Sequence, residues 1–329
     1  MSIKSETLHI LESNKGRNIS GQELADMLQV SRTAVWKAIN SLKDEGYEIE
    51  AVSNKGYSLS TSSDVLSSEG IRLYLNNEFN NIPITVYKTI ESTNSQAKLL
   101  AVQNAKHGTT IIAEEQTMGR GRFGRSFFSP SDSGVYMSII LKPKLNIENS
   151  VLITTAAAVA VCKAIEKFVN DKPRIKWVND IFIGDRKVCG ILTEAVTNFE
   201  SGMMDSVVLG IGINVKTKNI DFPIELQSTA GSIFDNNDNF IRNQLSAEII
   251  NNVLEVSENL ENKSFMSEYK ERSMILGENI LYNKSNNWCE GYALDIDDSG
   301  GLIVCTAEGQ KITLNSGEVS IKKKWGYYV

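Results

Sequence analysis

Two histidines and four cysteines are few for 329 residues, and Cys162, Cys189, Cys289 and Cys305 form no Cys-x-x-Cys pair. Only His9 and His107 stand ready to join them. A structural zinc site is therefore not expected, and reduced thiols in the cytosol are. No apolar run approaches the ~18 residues that mark a membrane-spanning helix, and the first seven residues, Met-Ser-Ile-Lys-Ser-Glu-Thr, hold no apolar stretch of the signal-peptide kind. A cytoplasmic protein with no membrane partner is expected. Positive charge is also short: 34 Lys and Arg against 40 Asp and Glu give a net charge of −6. That excludes non-specific nucleic-acid binding by the molecule as a whole and leaves open a local basic face. Internal repeats and low-complexity tracts are missing too.

What is present is an ordinary globular composition, 41% hydrophobic and 22% charged, long enough for two or three domains. Near the start, Leu8, Ile10 and Leu11 recur at helical spacing. Ser20 with Glu23 forms a capping box for a short helix to about Leu28, and Ser31 caps a second helix from Arg32 to about Glu45. Helix, tight turn and capped helix make the helix-turn-helix pattern. Arg32, Lys37 and Lys43 lie on the second helix with no acid before Asp44, so positive charge gathers on the element that would enter a major groove. Tyr47–Val52 and Gly56–Ser60 alternate around Ser53-Asn54-Lys55 like a hairpin wing. The expected DNA-facing residues are Ser31, Arg32, Thr33, Lys37, Asn40 and Lys55; a three-helix interaction module is the alternative. Residues 1–62 are expected as this domain, with Thr61-Ser62-Ser63-Asp64 as a polar linker.

Further along, one helix is expected over Leu66–Phe79, capped by Ser67 or Ser68, and a strand over Ile84–Ile90 runs into Ser92-Thr93-Asn94. Thr109–Glu115 and Val135–Leu141 read as buried strands, Ser150 as the cap of a helix over Val151–Phe168, and Arg174–Val178 as another strand. A hairpin follows, Ile181–Ile183 and Lys187–Glu194; the strand 187–196 is expected near a sheet edge. Gly210 and Gly212 fall inside an apolar strand with no helix after them, which excludes a dinucleotide fingerprint. Ser246 is expected to cap a helix to Leu260, and after Gly277 short strands with glycine turns suggest a small β-barrel of SH3-like type.

The densest signal is Gly119-Arg120-Gly121-Arg122-Phe123-Gly124-Arg125, placed straight after a buried strand. Arginine offers a permanent charge and a planar fork that fits carboxylates and phosphates, and glycine lets backbone approach a ligand closely. Such alternation points to a small anionic ligand; a solvated basic loop or an RNA contact is the plainer reading.

This stretch resembles the ligand loop of biotin protein ligases, and the resemblance extends over nearly the whole chain, including the DNA-binding region that marks the bifunctional members. It implies an α+β protein with an N-terminal winged helix-turn-helix, a central α/β ligase domain with a mixed sheet over residues 66–272, and an SH3-like β-barrel over 273–329. It implies ATP and Mg²⁺, biotin as substrate, a carboxylase's biotin carrier domain as acceptor, operator DNA, and a homodimer formed on ligand binding. Residue by residue, Ser92, Thr93, Asn94 and Gln116 match positions at the biotin head, and Gly119, Arg120, Gly121, Arg122 and Arg125 the biotin- and adenylate-binding loop. Lys187 matches a lysine on the activated carboxyl, Asp180 an acid that orients metal or amine, and Asn214 a contact to adenine. Lys176, Trp177, Asn179 and Gly190 fall in the same motifs, with Lys187, Arg122 and Asp180 the expected catalytic set. Three positions depart from the family: Val178 where proline is usual, Phe127 where tryptophan often stacks on adenine, and Lys322 where some members have arginine. A lipoate ligase and a non-catalytic biotin sensor remain the alternatives.

Overall fold

A computed structural model describes residues 2–143, 150–197, 204–234, 241–284, 287–317 and 319–321. In chain order the elements begin with α1 (Ile3–Glu12), α2 (Gly21–Leu28), α3 (Arg32–Asp44), β1 (Ile49–Val52), β2 (Gly56–Leu59) and α4 (Ser68–Arg72). Next come β3 (Ile84–Ile90), α5 (Thr93–Val102), β4 (Thr110–Gln116), β5 (Gly134–Leu141), α6 (Ser150–Glu166), β6 (Arg174–Lys176), β7 (Asp180–Ile183), β8 (Arg186–Thr197) and β9 (Met204–Asn214). The last are α7 (Arg242–Glu258), α8 (Met266–Arg272), β10 (Asn279–Lys284), β11 (Asn287–Ile296), β12 (Leu302–Thr306), β13 (Lys311–Leu314) and β14 (Val319–Ile321). Lys322 lies outside the described residues.

The chain divides into two compact units, Met1–Asn80 with Asn236–Glu248, and Asn81–Asp235 with Ile249–Val329. In the first, α1–α3 close on a core of Leu8, Leu11, Leu24, Val35, Ile39 and Leu42, to which the β1–β2 hairpin adds Ile49 and Leu59. Ser20 accepts from the Glu23 amide at 3.0 Å and Ser31 from the Ala34 amide at 3.2 Å, so both expected caps form.

Three expectations for this unit are corrected. Leu66–Phe79 is not one helix: α4 ends at Arg72 and a separate 3₁₀ turn spans Asn77–Phe79. Asn76 between them is extended (φ −61°, ψ 145°), in keeping with the tendency of asparagine to favour caps and turns over helix interior. Thr61–Asp64 is polar yet partly enclosed, with Ser63 and Asp64 buried. Asp64 pairs with the buried guanidinium of Arg242 at 2.8 Å and also accepts the Arg242 amide at 3.1 Å. That carboxylate satisfies the first turn of α7, which therefore begins at Arg242. Ser246 is an interior residue whose hydroxyl donates to the Arg242 carbonyl at 2.7 Å, not the expected cap.

The second unit is built on a seven-stranded sheet in the order β3-β4-β5-β9-β8-β7-β6. Only β3 and β4 run parallel; the remaining pairs are antiparallel. All eight residues of β5 are buried, which explains its mostly apolar run. Ala97 and Ala101 of α5 pack onto Ile111, Ile140 and Val208 of the sheet. The small side chains of α6, Ala156, Ala157, Ala158 and Ala160, are all buried. The strand β8 pairs with β7 from Arg186 to Gly190 and with β9 from Cys189 to Thr197. Both strands flank it only at Cys189 and Gly190, and among the described strands its second half has one neighbour. A five-stranded antiparallel sheet, β13-β12-β11-β10-β14, forms the small C-terminal β module.

Candidate active site

The arginine loop leaves the end of β4 and returns within ten residues. Its neck is closed by a bridge between Arg120 and Ser126 and by the Phe127 amide donating to the Gly119 carbonyl at 2.9 Å. A Cβ on Gly119 would stand 2.4 Å from the Phe127 carbonyl oxygen, so only glycine fits there. The tip turns through Phe123 and Gly124 at φ 55° and 73°. Arg120 and Arg125 are exposed, whereas Arg122 is half-buried and donates to the Asn179 amide oxygen at 3.0 Å and the Gly317 carbonyl at 3.4 Å. Its guanidinium also lies 4.9 Å from the centre of the Phe123 ring.

Behind the loop lies a cavity of about 470 Å³. One end is cationic. Arg120, Arg122 and Arg125 line it with Lys176 and Lys187, and the Lys187 ammonium sits 2.7 Å from Asp180. Asn179 joins the two sides, accepting from Arg122 and donating to Asp180 at 3.1 Å. Lys187 is fixed along the backbone as well, its amide donating to the Thr229 carbonyl at 2.8 Å. Asp180 is the only carboxylate among the described lining residues.

The other end is neutral. Ser92 caps α5, and Thr93 donates from its backbone amide to the Gln116 side-chain oxygen at 2.8 Å. Gln116 in turn donates to Ser129 at 3.0 Å. Asn94 donates to Glu194 at 2.9 Å and lies 2.6 Å from the Ser138 hydroxyl. Lys98 binds the second Glu194 oxygen at 2.7 Å. Burial alone would raise the Glu194 carboxyl, but the bonds from Lys98 and Asn94, with the charges of Lys98 and Arg120, hold it below its ordinary value.

The floor is made by glycines of the adjoining strands. A Cβ on Gly210 would lie 2.1 Å from the Asn94 side-chain oxygen, and one on Gly212 would lie 2.6 Å from the Phe127 ring. Gly190 of β8 also lies under Phe127. The two β9 glycines are therefore slots for Asn94 and Phe127. Phe127 stands edge-on to Tyr136 with ring centres 6.4 Å apart.

The chain matches the Biotin/lipoate A/B protein ligase family over residues 86–214, an HTH domain over 4–58 and the Biotin protein ligase C terminal domain over 275–322. It is 36% identical over 317 residues to the Bifunctional ligase/repressor BirA of Bacillus subtilis (strain 168), covering 94% of this chain and 96% of the relative. The chain belongs to the bifunctional ligase/repressor family. The Escherichia coli (strain K12) member is 28% identical, with 92% of each chain covered. Among solved structures, the biotin protein ligase from Aquifex aeolicus in complex with biotin and ATP superposes with a TM-score of 0.63 at 25% identity. The match covers 73% of this chain and 99% of that one.

For a bifunctional ligase/repressor, the residues expected at the site are gathered as follows. Ser92, Thr93, Asn94, Gln116, Arg120, Gly121, Arg122, Arg125, Phe127, Lys176, Trp177, Asn179, Asp180, Lys187 and Gly190 all line the cavity. Trp177 is buried and spends its indole N–H on the Gly300 carbonyl at 2.9 Å. Gly119 shapes the loop neck without lining the cavity. Asn214 lines a smaller neighbouring cavity of about 110 Å³, with Phe127, Phe128, Phe222 and Lys187, and donates to the Gly231 carbonyl at 3.0 Å. Sequence reasoning missed Ser138, Glu194, the glycine floor, and Trp288 and Gly317 on the lining.

On the first unit, Arg32, Thr33 and Lys37 are exposed along one side of α3, Asn40 is half-exposed, and Lys55 is exposed at the hairpin tip. Ser31 uses its hydroxyl as the cap. Trp36, 55% exposed on the same helix, was not anticipated.

Proposed function

We propose that the cavity activates biotin with ATP and passes it to a protein lysine. The observation that carries this reading is the division of the cavity into a cationic end and a neutral end. A carboxylate and phosphates suit the first, and a neutral ring that both donates and accepts hydrogen bonds suits the second. The biotin carboxylate attacks the α-phosphorus of ATP, and the bond to pyrophosphate breaks to leave biotinyl-AMP. Both reactants are anions, and Arg120, Arg122, Arg125 and Lys187 offset their repulsion. In the second step the lysine amine of a carboxylase carrier domain attacks the acyl carbon, AMP leaves, and the amine gives up a proton. Asp180, held between Lys187 and Asn179, is the group positioned to orient that amine.

Mg²⁺ fits this donor set only as a partner of the nucleotide. Among the described residues no three His, Cys, Asp or Glu gather to hold a metal, so ATP phosphates would carry the ion with Asp180 as the carboxylate at hand. Bound there, it would neutralise charge on the phosphates.

The exposed basic side of α3 and the hairpin form the surface for operator DNA. A homodimer would double it and demand a two-fold symmetric site. The flank of β8 beyond Gly190, paired on one side among the described strands, favours dimerisation through that strand.

Pyrophosphate release from ATP tests the ligase reading. Biotin should stimulate it and lipoate should not; release stimulated equally by lipoate would overturn it.

A further inference from the structure

A tyrosine outside the cavity is hydrogen-bonded to the turn that forms the cationic end. Tyr269 of α8 is fully buried and does not line the cavity, yet its hydroxyl donates to the Val178 carbonyl at 3.0 Å. A phenylalanine would fill nearly the same space, so the oxygen serves the bond rather than the packing. The residue after Val178 is Asn179, on which the charged groups of the cavity meet. Its Nδ2 donates to the Ile191 carbonyl at 2.9 Å. A carbonyl only accepts, so the amide is turned with its oxygen towards Arg122, which donates to it at 3.0 Å. The same Nδ2 reaches Asp180 Oδ1 at 3.1 Å, and that oxygen also holds the Lys187 ammonium at 2.7 Å. One neutral side chain thus aligns a guanidinium with an ammonium–carboxylate pair.

We infer that Tyr269 is a positioning residue, fixing the peptide plane between Val178 and Asn179 and through it the alignment of Arg122 with Asp180 and Lys187. The inference rests on the ligase reading and deepens it. A peptide unit is planar, so a bond to the Val178 carbonyl also sets the direction in which the chain enters Asn179. Val178 and Asn179 are both buried, and a hydrogen bond in such surroundings is stronger than one at the surface. Burial also pushes the phenol well above its ordinary pKa, so the donated proton stays in place at neutral pH. The helix that supplies the hydroxyl is firmly held. Arg272, the last residue of α8, binds both oxygens of Glu166 on α6 at 2.6 and 2.8 Å. Just beyond it, the Met274 amide donates to the Ile175 carbonyl at 2.9 Å, and Ser273 bridges to the same residue. The end of α8 is therefore tied to β6, the strand that runs into Val178.

Tyr269→Phe tests this, because it removes the hydroxyl and keeps the ring. In pyrophosphate release kcat should fall about tenfold, since a small misplacement of cations that act on the transition state is costly. KM for biotin should stay within about threefold, because the neutral end of the cavity keeps its contacts. Asn179→Ala should lose at least as much kcat. The decisive readout is the double variant, which should fall no more than about twofold below Asn179→Ala alone, because both changes break one chain of contacts. A role in stability alone would lower the thermal midpoint and leave kcat per folded molecule unchanged. Losses that multiply in the double variant, or a Tyr269→Phe kcat within about twofold of the wild type, would overturn the inference. Should Tyr269→Phe prove unstable, the same comparison is made in sucrose, which favours the compact state. A wild-type protein that releases no pyrophosphate with biotin would sink the ligase reading and this inference together; an active wild type that Tyr269→Phe matches sinks only the second.

Discussion

Arg122 differs from the other arginines of its loop in what holds it. Two acceptors, the Asn179 side chain and the Gly317 carbonyl, fix its guanidinium at the cavity wall, while Arg120 and Arg125 are exposed. Arg122→Ala should therefore leave the fold intact and weaken adenylate retention by on the order of 2–4 kcal/mol. The rate at which labelled biotinyl-AMP escapes from the variant measures this, and a wild-type rate would contradict it. Glu194 gives a prediction in pH. Its folded carboxyl lies below the ordinary value, so it adds stability above the unfolded-state value of about 4.3, and that stability disappears as pH falls through the lower folded value. Thermal midpoints from about pH 6 to pH 3 should fall less steeply for Glu194→Gln than for the wild type; parallel curves would contradict the assignment. At this scale the Gly-Arg alternation was legible because no common structural need produces it. Ser138, Glu194 and Gly210 were not, being ordinary strand residues that meet Asn94 only because Ser138 pairs with Gly210 and Gly210 with Leu192 in the sheet register.

At the scale of elements, helix starts show the same contrast. The caps of α2 and α3 are a serine immediately before the helix, and local sequence displays them. The first turn of α7 is satisfied by Asp64, 178 residues away, and no local pattern can display that. Breaking this pair should be severe, because Asp64→Ala strands a guanidinium of which only 2% is exposed. A loss of about 3–5 kcal/mol is expected, read as a shift in urea midpoint. A loss below about 1 kcal/mol, the range of an exposed pair, would show that solvent reaches Arg242. The sheet strands were legible from their apolar runs and alternation. What escaped was neighbour order, which puts β9 on one side of β8 and β7 on the other.

For the whole molecule, ligand and DNA binding are coupled in the proposed account through association of two copies. Sedimentation with biotin and ATP should move the mass from monomer towards dimer, with operator affinity rising in parallel. A monomer that binds operator tightly with and without ligand would leave only the ligase activity. That activity is the central claim, and one reaction tests it most directly. Pure protein is incubated with ATP, labelled biotin and a carboxylase carrier domain, with a second sample in which the carrier's acceptor lysine is replaced. The account predicts label on the intact carrier, dependent on ATP and absent from the replaced one. An unlabelled carrier in the presence of ATP and biotin would contradict it.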